Sequence, residues 1–340
     1  MFIYALGGGF GHLTRACSLA RAAFPDIQAR ILTNSPYAAY VKSAMPELDL
    51  VALDPAMSLD QGCAEALHQI AAATADCLIV DTFPRGLGGE LASVIPAFAG
   101  LKVYVQRDLN PHYAAAYNLN PFVEDSYDLV LVPGDTAQDS LGPFAQTVTT
   151  APWLIRSRHE MPDRDRARQL LGLQDEKPCI AVCATGNLEE LAWYGKVVSR
   201  LLERAPECDV RCIASIRPDA CPPECWVQYW PAMDLYAAAD VVIGAAGYNT
   251  IYECVACGVP LVARAWQRKY DRQHLRACRA AAQACIRIVD EPEQAVAAAL
   301  TLCGTGVRPA LPHFENGAPD AVAAIKRALH RTGTHDIQRT

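Results

Sequence analysis

Two glycine turns hold the residues best suited to chemistry. The first, Gly7-Gly8-Gly9-Phe10-Gly11-His12, lies between an apolar strand and a helix expected to begin near Leu13 or Thr14. Backbone amides in such a turn, those of Gly9 and Gly11 among them, can approach a diphosphate closely, and the helix N-terminus favours an anion. His12 is the only side chain of the loop able to exchange a proton near pH 7, which makes it the candidate general base. The competing role is an imidazole that caps the helix or satisfies a loop carbonyl. Asp81 follows another apolar strand, 77–80, so it falls at the same sheet edge as His12. A carboxylate there can hold the imidazole in one tautomer and stabilise its charged form. Its competing role is an Asx turn in Asp81-Thr82-Phe83-Pro84, and Asp108, after strand 102–105, is the alternative partner for His12.

In the second turn, Val241-Val242-Ile243 gives way to Gly244-Ala245-Ala246-Gly247-Tyr248-Asn249-Thr250 and then to a helix carrying Glu253. Gly247, Asn249 and Thr250 stand where amides and the helix dipole bind a diphosphate, and a carboxylate one turn along can accept both hydroxyls of a ribose. Thr250-Ile251-Tyr252-Glu253 equally fits a helix capping box. In the same half, Ala184-Thr185-Gly186-Asn187 forms another polar turn, where Thr185 and Gly186 could add contacts to that diphosphate. The dense polar stretch from Trp266 to His274 is suited to reading a sugar's hydroxyls, or is a solvated loop.

Other chemistries fit less well. The dinucleotide fingerprint needs Gly or Ala where Thr14 stands, and it needs an acidic residue where the second strand ends in Thr33-Asn34. No G-x-x-x-x-G-K-[ST] run occurs, which excludes a P-loop. The 14 cysteines are scattered through apolar contexts, and the single CxxC, Cys254 to Cys257, has no second pair at zinc-site spacing. Asp163-Arg164-Asp165 matches a metal-binding D-x-D only superficially, since it lies in a charged stretch, so no metal is expected.

The elements that position these turns are legible as short apolar runs at 2–6, 29–33, 50–53, 77–80, 102–105 and 129–132, then at 179–183, 210–214, 227–229, 241–244, 261–263 and 286–289. Continuous apolar strands bounded by turn residues are the mark of parallel sheets covered on both faces. The expectation is an α/β chain of two Rossmann-like domains facing across a cleft. The first domain spans 1–155, a charged linker and helix 156–177, the second domain 178–316, and a C-terminal helix and tail 317–340. A length of 340 residues suits two domains, and 51% apolar residues suit two cores.

A net charge of -7 without blocks of like charge argues against nucleic acid as a partner. The N-terminus lacks the basic region of a signal peptide, so the expected location is the cytoplasm, with peripheral membrane contact left open.

The sequence resembles the GT-B glycosyltransferases, in particular the bacterial peptidoglycan N-acetylglucosaminyltransferase and related predicted glycosyltransferases. The likeness rests on Gly7 to His12, on Gly247 to Glu253 followed by Gly258-Val259-Pro260, and on Asp271-Arg272-Gln273. The resemblance implies Glu253 at the ribose, Gly247, Asn249 and Thr250 at phosphate, and Asp271 and Gln273 at the donor sugar. His274 joins them, standing where the cell-wall enzyme has Gln. His12 matches the base of related plant and bacterial sugar transferases, and Asp81-Thr82-Phe83 is similar to the segment that partners it. The activity so implied is metal- and cofactor-independent transfer from a nucleotide-sugar donor, a UDP-sugar, to the hydroxyl of a small-molecule, lipid-linked or glycan acceptor. A nucleotide-sugar hydrolase or epimerase of the same fold, and a non-catalytic nucleotide-sugar sensor or partner subunit, are the alternatives.

Overall fold

The computed structural model describes residues 1–134, 141–174, 176–282, 285–304 and 314–337. The chain divides into two compact units. Met1–Ile155, Lys269–Asp271 and Asn316–Thr340 form the first, and Arg156–Arg268 and Arg272–Glu315 form the second.

The first unit is built on seven parallel strands: β1 (Phe2–Tyr4), β2 (Arg30–Thr33), β3 (Asp49–Ala52), β4 (Cys77–Asp81), β5 (Leu101–Val105), β6 (Leu129–Pro133) and β7 (Thr147–Thr150). They lie in the order β3-β2-β1-β4-β5-β6-β7. Six of them coincide closely with apolar runs of the sequence. The seventh, β7, has no apolar run. It closes one edge of the sheet, Thr147 and Thr149 are exposed, and its β-branched residues suit a strand that is only half covered.

The C-terminal helix Ala318–Ile337 packs on the helix Phe10–Ala23 and on β5, β6 and β7, which makes the end of the chain part of the first unit. Ala318, Ala321, Val322 and Ile325 are buried, the i, i+3, i+4, i+7 spacing of one helix face.

The second unit carries six parallel strands: β8 (Cys179–Cys183), β9 (Asp209–Ile213), β10 (Trp226–Val227), β11 (Val241–Ala245), β12 (Leu261–Arg264) and β13 (Ile286–Val289). Their order is β10-β9-β8-β11-β12-β13. Successive side chains serve opposite faces. Cys179, Ala181 and Cys183 enter one core, while Ile180 and Val182 enter the other. A strand buried on both sides has to read as an unbroken apolar run.

The charged stretch 156–177, expected as a linker and helix, lies within the second unit. Several of its charges are paired within that unit. Arg156 grips Asp234 through two hydrogen bonds of 2.8 Å, and Arg164 pairs with Asp240 at 3.2 Å. Asp163, the first residue of the D-x-D, caps the helix Arg164–Leu170 by accepting from the Arg166 amide, and Ala167 and Leu171 of the same stretch are buried in the core. The helix expected in this stretch is Arg164–Leu170. Among the described residues no helix is long and apolar enough to cross a membrane.

Both sheets have a point where strand order reverses, between β1 and β4 in the first and between β8 and β11 in the second. Connections leaving the two central strands diverge there, which leaves a crevice at the carboxyl ends, where open α/β sheets bind ligands. Gly7 to His12 follows β1 and Asp81 ends β4, while Thr185-Gly186 follows β8 and Gly247 follows β11. All four candidate segments sit at a switch point.

The seat of the C-terminal helix can be checked by truncating its buried Ile325. Ile325→Ala should lower the unfolding free energy of the first unit by about 2–4 kcal/mol, the usual cost of such a core cavity. A urea titration followed by circular dichroism reads this, and an unchanged midpoint would mean that the helix is not held by this face.

Candidate functional site

In the first unit the turn is tighter than the sequence suggests. The helix begins at Phe10, with Gly9 as an N-cap that makes no side-chain capping bond, so Gly11 and His12 lie in its first turn rather than before it. Asn34, just past β2, draws the loop in: its Oδ1 accepts hydrogen bonds from the amides of Gly7 (2.9 Å) and Gly8 (3.0 Å). Those two amides are thereby engaged, and the amides left to meet a ligand belong to the helix start.

His12 Nδ1 lies 2.6 Å from Asp81 Oδ2. An ionised carboxylate can only accept, so Nδ1 carries the proton and donates it, and Nε2 keeps its lone pair. The imidazole is 17% exposed and the carboxylate 4%, so a ligand can reach the ring but not the acid behind it. Asp81 is thus spent on side chains rather than on an Asx turn, and it, not Asp108, is the carboxylate on His12. The ring also needs Gly7. A Cβ at position 7 would fall 2.3 Å from the imidazole Nε2 and Cδ2, so only glycine leaves room for it.

Behind the pair stands Arg15, which the sequence reading did not single out. Its Nε donates to Asp81 Oδ1 at 3.1 Å and its Nη2 to Oδ2 at 2.7 Å, a fork on the carboxylate, and Nη2 also donates to Thr82 Oγ1 at 3.2 Å. One signal was available, because His12 and Arg15 are three apart and share a helix face. Burial alone would raise the Asp81 carboxyl, but the charge of Arg15 and the hydrogen bonds from His12 and Arg15 outweigh it and hold the group well below the usual carboxylate range. Thr82, immediately after, adopts φ 72, a left-handed conformation that a β-branched residue rarely takes. Its amide donates to Val105 O, its carbonyl accepts from the Tyr104 hydroxyl and its Oγ1 accepts from Arg15, so the surroundings hold the strain in place.

In the second unit the helix Tyr248–Cys257 starts from Gly247, which serves as N-cap without a side-chain bond. Thr250 is therefore inside the helix, and the capping box that would have explained Glu253 does not form. Glu253 is buried, and among the described residues no hydrogen bond or ion pair engages its carboxylate. Burial first, and the charge of Asp234 second, push its pKa up to about 7. Asn249, in the first turn, has a buried Oδ1 with no hydrogen-bond partner. A Cβ built on Gly247 would meet nothing within 4 Å, so the turn is open on that side. Uncapped amides and an unmet carboxamide oxygen therefore lie in the first turn of one helix, and an unmet carboxylate follows one turn on.

Thr185 is half-buried in the neighbouring turn. Gly186 there has φ 119, and the Glu190 carboxylate occupies the place of its absent Cβ, with Oε2 1.6 Å from that position. Glu190 is held by Arg268, whose Nη2 donates at 2.8 Å to Oε2 while Nη1 contacts Oε1. Asn187 caps the helix Leu188–Arg204 by accepting from the Glu190 amide. Sequence reasoning passed over both Glu190 and Arg268, which are 78 residues apart.

The three residues expected at the sugar have different surroundings. Asp271 belongs to the first unit and forms an isolated bridge with Leu109. Gln273 is buried in the second unit, its Oε1 accepting from the Trp266 amide at 3.0 Å, which folds the polar stretch back on itself. His274 is exposed, with its Nε2 3.6 Å from Cys278 Sγ.

Residues 225–300 match the glycosyltransferase family 28 C-terminal domain. This segment carries β10 to β13, with the Gly247 turn and Glu253 inside it. No curated protein matches the chain by sequence. Among solved structures, the glycotransferase of kitacinnamycin is 16% identical with a TM-score of 0.62, over 96% of this chain and 98% of that one. The Streptomyces sp. SF2575 glycosyltransferase SsfS6, complexed with thymidine diphosphate, is 16% identical with a TM-score of 0.61, over 96% of this chain and 99% of that one. A UDP-N-acetylglucosamine 2-epimerase is 13% identical with a TM-score of 0.57, over 98% and 97% of the two chains. At such identities the likeness is one of fold, and the fold is GT-B, two Rossmann-like domains. The family 28 match lies within the second of these two domains.

The close approach at Gly7 gives a direct test of the His12–Asp81 contact. Gly7→Ala should push the imidazole off the carboxylate while the fold survives, because the atoms in the way end a side chain. Proton NMR should then lose the downfield signal of the hydrogen-bonded Nδ1 proton, and a retained signal would show that the ring had room.

Proposed function

We propose that the protein transfers a sugar from a UDP-sugar to an acceptor hydroxyl, with the second unit binding the donor nucleotide and the first supplying the base. The observation that carries this reading is the 2.6 Å contact between His12 and a carboxylate that Arg15 keeps ionised. His12 Nε2 takes the acceptor's hydroxyl proton as that oxygen bonds to the anomeric carbon. The bond from that carbon to the diphosphate breaks, and the diphosphate leaves with the electron pair. Amides at the start of the helix Tyr248–Cys257, with Gly247 as N-cap and Asn249 and Thr250 in the first turn, are the groups suited to take up that charge. The leaving-group charge is in this reading met by protein dipoles rather than by a metal.

Glu253 is the proposed ribose residue. A buried carboxylate with no partner gains most from two hydroxyl donors, and the raised pKa is what such an unmet site produces. The family 28 match over the same segment supports placing the nucleotide here.

Two outcomes test the assignment. In reactions with UDP-sugars and cell-extract acceptors, His12→Ala should reduce turnover by about 100- to 10,000-fold, the range for loss of a general base, with UDP affinity by calorimetry unchanged. Normal turnover in this variant would remove His12 from the chemistry, and sugar release without any acceptor would make the enzyme a hydrolase. The second test concerns pH. In the free protein Glu253 is protonated below about 7, and only the ionised form accepts from both hydroxyls. UDP affinity should therefore rise as pH increases through 7 and then level off. Glu253→Gln should bind about 10- to 100-fold more weakly at pH 8, matching a lost charged hydrogen bond, and show no such rise. A flat wild-type profile would remove the ribose role.

A further inference from the structure

The buried guanidinium of Arg15 bonds Thr82 and a carboxylate that already has a partner in His12. Its side chain is 6% exposed. Asp81 Oδ2 is shared between His12 Nδ1 at 2.6 Å and Arg15 Nη2 at 2.7 Å, and Nη2 comes within 3.4 Å of the same imidazole nitrogen. One anion thus stands between one permanent cation and one optional cation.

From this geometry we infer that Arg15 is the positioning residue that keeps His12 in its neutral, proton-accepting form, by claiming the Asp81 charge for itself. The inference rests on the reading of His12 as the base.

The reason is charge balance in a buried cluster. With Arg15 present, the neutral imidazole leaves the group Arg15–Asp81–His12 at zero net charge, and protonating His12 would leave an uncompensated positive charge, which burial disfavours. Without Arg15 the balance inverts, because the protonated imidazole and Asp81 would then form the neutral pair. The base would be filled by a proton before an acceptor arrived. The other groups around the imidazole do not supply this balance. Phe83 stacks on it with ring centroids 5.6 Å apart, Gly7 lies under the ring, and Thr82 contributes a hydroxyl to Arg15. Tyr104, from β5, donates its phenol to Thr82 O and is held in the protonated form by burial and by the charge of Asp81. Arg15 also supplies direction. Its fork takes Oδ1 and Oδ2 together and fixes the plane of the carboxylate on which Nδ1 is aligned.

The test follows the His12 imidazole by NMR across pH in the full chain, with the signal assigned by its loss in His12→Gln. Arg15→Met should move the midpoint of the His12 titration upward by at least about one pH unit, whereas Arg15→Lys, which keeps the charge, should stay much closer to wild type. Because Arg15→Met leaves Asp81 in a buried site with a single partner, it can fail to fold. The comparison of Asp81→Asn with the double variant Arg15→Met, Asp81→Asn then reads the same effect with the carboxylate gone. The double variant should titrate at least about one unit higher than Asp81→Asn alone, since the nearby guanidinium no longer repels the ring's proton. Midpoints that agree in these comparisons would overturn the inference, as would a downward shift. The acid limb of kcat/KM with UDP-sugars should move upward in parallel. A shifted NMR midpoint with an unmoved acid limb would leave Arg15 in its role and remove His12 as the base, so the two failures are distinguishable.

Discussion

A carboxylate buried at the carboxyl end of β4 is the constraint around which the first unit's site is arranged. Asp81 is 4% exposed, and an ionised acid at that depth is tolerable only where cations and donors meet it. Arg15 and His12 do so from one face of one helix. Everything near them follows from fitting two large side chains onto one acid. The chain at position 7 has no Cβ, Asn34 pulls the glycine loop inward, and Thr82 accepts a left-handed backbone held by Tyr104, Val105 and Arg15.

The second unit handles a buried acid in the opposite way. Glu253 is buried like Asp81, yet among the described residues no cation or donor meets it, and its pKa moves up where that of Asp81 moves down. Satisfaction in one unit and its absence in the other are different physical conditions. A satisfied acid orients a neighbour, and an unsatisfied one is poised to take a ligand's hydroxyls. The topology gives each the same kind of address, a switch point at the carboxyl edge of a parallel sheet. Glu190 offers the internal contrast, since it is buried beside the neighbouring turn but already held by Arg268.

Much of this was legible in local patterns. The apolar run 179–183 coincides with β8 residue for residue, and both glycine turns fall where strands end, because a strand buried on two faces has to be apolar throughout and a tight turn needs glycine. The parallel α/β class, the placing of His12 and Asp81 at one sheet edge and the prominence of Glu253 could be read in this way. What local pattern did not carry was the edge strand β7, the incorporation of 156–177 into the second unit, the start of the helix at Phe10 and the roles of Arg15, Asn34 and Arg268. Each depends on partners far along the chain. Arg15 meets Asp81 across 66 residues, and Arg156 meets Asp234 across 78. Whether Glu253 caps its own helix or stands unmet was likewise undecided by its spacing from Thr250, since both roles use the same four residues. The sequence by itself determined which segments bury themselves and where the chain turns, because burial and turning are written in short-range periodicity. Only the tertiary structure decided which charges are neutralised, because that depends on which distant side chains the sheet brings to the same edge.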